Sequence, residues 1–129
     1  MEEKNDSGKD TAYHNLSISL IARSEMTQSI SDLNEAIEYA EKAVVVVRRR
    51  ILDLPLYETH LSRCLRKRFE ILGEIEDLER AITAAQTALE LIPEDHPAWS
   101  ACQCTFLSAL TAAEAVIKSD TTNLVFISK

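Results

Sequence analysis

The sequence predicts an all-α fold: an α-solenoid of antiparallel helical hairpins, about two and a half repeats and five helices. Three observations carry this. The chain repeats itself at a spacing of 45 residues: Leu16, Ser17, Leu20, Arg23, Glu25, Ile30, Asp32, Leu33, Ala36, Ile37, Ala40 and Ala43 recur as Leu61, Ser62, Leu65, Arg68, Glu70, Ile75, Asp77, Leu78, Ala81, Ile82, Ala85 and Ala88. Roughly two identities would arise by chance, and a fixed period of roughly 20 to 50 residues marks stacked repeats. Apolar residues also fall at intervals of three and four, as in Leu33, Ile37, Ala40, Val44 and Val47, the spacing of a buried helix stripe. Finally, breakers are scarce. Gly8, Gly73, Pro55, Pro93 and Pro97 are all there are, too few for the turns of a sheet.

Each element follows from local signals. Residues 1–10 are polar, lack an apolar period, and are expected to form a disordered lead-in. The repeat domain is placed at 11–118. Leu16, Ile18, Leu20 and Ile21 support a first helix from Thr11 to Met26, and Gln28 to Ser31 connect it to the next. Ser31 or Asp32 can cap the second helix, which runs to about Arg50. Asp53 caps a third helix that tolerates Pro55 in its first turn and buries Leu61, Leu65, Phe69 and Leu72. Gly73 suits the left-handed helix end. Asp77 opens the fourth helix and Pro93 stops it. Asp95 caps a fifth, carrying Trp99, Phe106, Leu110 and Ile117. Residues 119–129 have no helix period and are expected to be irregular, with Leu124 to Ile127 extended or disordered.

Matched alanines, Ala36, Ala40 and Ala43 against Ala81, Ala85 and Ala88, let neighbouring Leu and Phe ridges approach closely. A hairpin cannot bury its own apolar face, so each must stack on the next. Together with Leu65-Arg66-x-x-Phe69-x-x-x-Gly73, Ala81-x-x-x-Ala85-x-x-Ala88 and Pro93, this order resembles the tetratricopeptide repeat family. Arg66 stands where that family has a small residue. In the first repeat Ser24, Gln28 and Arg48 replace the aromatic, the turn glycine and the proline. The long period, with Arg68 to Ile82 followed by Pro93-Glu94-Asp95-His96-Pro97, is similar to repeats of large fungal proteins that flank a caspase-like or NTPase domain. The resemblance implies a protein-binding scaffold without catalysis, whose first helices form a concave groove. It also implies an alternative: a sensor or regulatory array for an effector encoded elsewhere.

Composition narrows the partners. Net charge is −7, which disfavours phosphate backbones. Arg48 to Arg50 and Arg66 to Arg68 read as solvated helix faces or ends. Cys64, Cys102 and Cys104 are odd in number and sparse, and the start is charged, which fits a reducing compartment and no signal peptide. The longest pure apolar run, Ala43 to Val47, is too short for a bilayer. A cytoplasmic protein with no membrane, nucleic-acid, cofactor or metal partner is expected.

The groove candidates are Asn15 and Ser19 on the first helix, His60, Arg63 and Lys67 on the third, and Thr105 and Ser108 on the fifth. Arg63 and Lys67 would favour a peptide bearing carboxylates. His60 and Cys64, at i and i+4, raise the rival of a Cys–His or zinc enzyme. Against it, Cys102 and Cys104 point about 200° apart on a helix, and no oxyanion donor or glycine-rich turn is visible. Cys64 and Cys104 read as small seam residues, Tyr57 and Trp99 as packing aromatics. The fifth helix lacks a partner, since Thr122 and Asn123 stand where Asp77 and Leu78 stood one period earlier. Self-association through it is expected.

Overall fold

The computed structural model describes residues 8–128, with side chains through Ser119. Among these residues there are five helices and no strand: α1 (Lys9–Thr27), α2 (Ile30–Val47), α3 (Leu54–Leu72), α4 (Ile75–Leu91) and α5 (Trp99–Ser128). Each helix packs on the next in sequence, and α3 also touches α5. Connections of a few residues make neighbours antiparallel.

The hairpin turns depend on left-handed residues. Gly73 ends α3 at φ 75°, its N–H donating to the Phe69 carbonyl at 2.7 Å. Its counterpart, Gln28, adopts the same region at φ 56° despite its side chain. The caps differ from those expected. Ser29, not Ser31 or Asp32, caps α2, its hydroxyl accepting from the Asp32 N–H at 3.2 Å. Asp53 stands at the start of α3 without a capping bond and pairs instead with Arg50 at 3.4 Å. Before α5 it is His96 Nδ1, not Asp95, that accepts from a backbone N–H, that of Ala98 at 3.0 Å.

Asp32 and Asp77 have other work. Arg23 Nε and Nη2 grip the Asp32 carboxylate at 2.8 and 2.7 Å; Arg68 does the same to Asp77 at 2.8 and 2.8 Å. This two-point geometry ties the end of each first helix to the start of its second. Ser17 and Ser62 form a second matched lock. Their buried hydroxyls donate to the carbonyls of Ala36 and Ala81, both at 2.7 Å. Ala36 and Ala81 are fully buried; only a side chain this small lets a serine reach the opposing backbone.

The hairpins meet in a core of Leu33, Ile37, Ala40, Leu61, Cys64, Leu65 and Ala81, with Ile21 and Val44 against it. Outside it, Arg68 Nη1 donates to Asn34 Oδ1 at 2.9 Å and Arg80 pairs with Glu41, both binding the second hairpin to α2. A second cluster of Ala88, Ile92 and Cys102, flanked by Leu89, Ala98 and Trp99, seats α5 on α4.

Several boundaries move. The expected lead-in over 1–7 lies outside the described residues, and α1 already includes Lys9 and Asp10. Asp10 is buried because it accepts from the Tyr57 hydroxyl at 2.8 Å and pairs with Arg50 at 2.7 Å. Instead of becoming irregular at 119, α5 continues to Ser128. That segment has no glycine or proline, and extending an existing helix costs far less than nucleating one. Leu72 is exposed, not core. Trp99–Ser119 is long and apolar enough, by length and composition, to cross a bilayer. No long pure apolar run marks this segment, because Ser, Thr and Gln, and near its end Glu114 and Lys118, interrupt it.

Candidate functional site

The first helices of the hairpins, α1 and α3, together with α5, enclose a cleft of about 500 Å³. α1 contributes His14, Ile18, Ile21 and Glu25; α3 contributes Leu56, Thr59, His60, Arg63, Cys64 and Lys67; Ala98, Ala101 and Cys102 close the far wall. His60, Arg63 and Lys67 all line this cleft. Thr105 lies buried beside them, its hydroxyl accepting from Arg63 Nε at 3.3 Å. Asn15 and Ser19 do not line the cleft, and Ser108 lines a separate depression with Arg66, Cys104, Leu107 and Thr111.

The misplacement has a geometric cause. α3 has neighbours on both sides, whereas α1 offers α3 its downstream side and α5 offers its upstream side. Of the residues one period from the α3 candidates, therefore, only some face the cleft: Ile18, one period before Arg63, lines it, whereas Asn15 and Ser19, one period before His60 and Cys64, do not. Stepping back 45 residues from Thr59 and Arg63 gives His14 and Ile18, the residues found in the cleft. Their i, i+4 and i+7 spacing with Ile21 was a readable signal. Ala98, Ala101 and Cys102 lie too near the start of α5 to have been placed without its docking angle. Cys64 is buried as expected, and Cys102 rather than Cys104 is the second buried cysteine; Thr59 Oγ1 lies 3.2 Å from the Cys102 sulfur.

The charges are less available than they looked. Lys67 Nζ sits 2.5 Å from Glu25 Oε1, closing one end of the cleft. Arg63 makes no ion pair among the described residues. The cleft is therefore largely apolar, with one available guanidinium.

Beneath it lies a neutral polar cluster. His60 Nε2 is 2.7 Å from Ser17 Oγ and 3.5 Å from Cys64 Sγ. Ser17 has a single hydroxyl hydrogen, donated to Ala36 just as Ser62 donates to Ala81. Nε2 must then carry the hydrogen and donate to Ser17. Burial, with help from His14 and Arg63, pushes His60 down to about 4. His14 packs edge-on to His60 with ring centres 4.7 Å apart and stacks on Tyr57 at 4.7 Å; burial lowers it too, against the pull of Asp10. Burial raises the Asp10 carboxyl, but the bonds from Tyr57 and Arg50 outweigh it and hold the group below its ordinary value.

This chemistry bears on the enzyme rival. Burial pushes the Cys64 thiol up to about 12, so with His60 near 4 both members stay neutral at pH 7. A nucleophilic cysteine needs the opposite shifts. Ser17, fully buried with its hydrogen engaged, has no path to a substrate. Among the described residues no three His, Cys, Asp or Glu side chains converge as metal ligands.

No family model, curated protein or solved structure matches the chain.

Proposed function

We propose that this chain is a tetratricopeptide-like binding module that holds a segment of a partner protein in the cleft between α1, α3 and α5. The observation supporting this reading is the cleft itself. It has about 500 Å³ of space, walls of Ile18, Ile21, Leu56, Ala98 and Ala101, and one guanidinium, Arg63, without a carboxylate partner among the described residues. Apolar walls with a few polar groups are the usual make-up of a recognition site. The fitting segment inserts one or two aliphatic side chains and offers Arg63 a single acceptor. An array of carboxylates is disfavoured, since Glu25 already neutralises Lys67.

Ala101 is exposed and lines the cleft, so Ala101→Trp fills the space without touching the core. Peptides selected from a random display library on the wild-type chain should lose at least about tenfold in affinity for Ala101→Trp, about 1.4 kcal/mol. Arg63→Glu should weaken the same peptides. If selection yields no peptide sensitive to either change, the cleft is not a binding site.

A further inference from the structure

We propose that the open face of α5 is a contact between two copies of this chain, occupied by α5 of the second copy. The 45-residue register identifies the face. On α3 the corresponding side carries Ser62, Leu65 and Arg68 and receives α4: Ser62 bonds the Ala81 carbonyl and Arg68 grips Asp77. One period later these positions hold Leu107, Leu110 and Ala113. Both polar handles by which α1 and α3 hold their second helices are replaced by apolar side chains. A helix docked like α2 or α4 would find no hydroxyl for its alanine carbonyl and no guanidinium for its aspartate.

What remains is apolar and uncovered. Leu107 is 53% exposed, Leu110 37% and Ile117 64%. With Glu114 they occupy 107, 110, 114 and 117, intervals of three, four and three, which is the seam of a two-helix coiled coil. The same helix from a second copy presents the same spacing, so the face is complementary to itself under a two-fold axis. Glu114 selects the direction. A parallel pair would set this exposed carboxylate against its own copy across the seam. An antiparallel pair sets it beside Leu110 of the other chain, with its head at the rim and the two charges apart.

The contact is small. Trp99–Ser119, 21 residues of helix, extend about 32 Å, and at about 10 Å width the pair buries on the order of 600 Å² over both copies, at the low end of transient assemblies. A weak, concentration-dependent dimer follows.

Sedimentation velocity of the full chain from about 1 to 300 µM tests this. The wild type should pass from monomer to dimer across that range. Leu107→Glu should weaken the dimer at least tenfold, and Glu114→Leu should tighten it at least tenfold. Both positions are exposed, so circular dichroism should show unchanged helicity. The gain with Glu114→Leu cannot come from misfolding. A wild type and a Glu114→Leu variant that both remain monomeric would overturn the proposal, as would a dimer indifferent to both substitutions. So would a monomer that partitions onto phosphatidylcholine vesicles through α5, which would assign the face to lipid.

Discussion

The two complete hairpins, α1–α2 and α3–α4, share their internal wiring and differ in what surrounds them. Each has a serine bonded to an alanine carbonyl and an arginine gripping an aspartate, at the same sequence separations of 19 and 9. Beyond these locks the likeness ends. Leu61 is buried against α2, whereas its counterpart Leu16 faces outward. The first hairpin carries a Tyr13–Tyr39 stack with Lys42 over both rings; the second has Glu58, Ala84 and Thr87 there. The serine and arginine locks are thus copied with the repeat, whereas the aromatic stack inside the first hairpin and the contacts between hairpins occur once. The distinctive chemistry, including the His14–His60 cluster and the cleft, lies in the second class.

The largest test of that distinction uses identical residues in unequal surroundings. Leu61→Ala should cost about 3 kcal/mol in chemical denaturation, while Leu16→Ala should cost well under 1 kcal/mol. Leu61 is 7% exposed and Leu16 is 45%. Equal costs would mean that the repeat, not the neighbour, sets burial.

The second test is acid. His60 has Asn15 and Thr105 at its matched positions, so its response belongs to one site. Held at about 4, it binds its proton later than in the unfolded chain, which titrates near 6.5. The stability it confers is complete above about pH 6.5 and is lost as pH falls toward 4. The loss is at most about 3 kcal/mol. Denaturation midpoints at pH 7 and 4.5 should differ clearly in the wild type. They should converge in His60→Gln, which keeps a donor for Ser17, leaving a smaller slope from His14.

The smallest test concerns the turns. Gln28→Gly should add about 1 kcal/mol, and Gly73→Gln should remove about as much. A Cβ at Gly73 would meet no atom within 4 Å, so any cost arises from the backbone alone. If Gln28→Gly adds nothing, the left-handed conformation at that turn is not strained.

Much of this was legible in the sequence. Leu33, Ile37 and Ala40 gave the stripe, the matched alanines gave the close seams, and Gly73 gave the turn, because each depends on residues near one another in the chain. The locks were also written in the repeat: Ser17, Arg23, Asp32 and Ala36 are all among the twelve recurring residues. Reading each aspartate as a helix cap hid its arginine, since capping rules look three residues ahead and the partner lies nine behind. The cleft was only half legible. His60 and Arg63 are adjacent on one helix face, but the Glu25–Lys67 pair and the approach of Ala101 depend on the angle at which α1 and α5 meet α3. No local pattern encodes that angle.

The short reach of the serine and arginine locks bears on how the chain acquires its shape. Each hairpin can close its own loop using partners no more than 19 residues away, which keeps the entropy of closure small and folding fast. Side-by-side docking comes afterwards and is the costlier step in entropy. Under mechanical extension the chain should therefore yield in two stages, the hairpins parting first and each unzipping later.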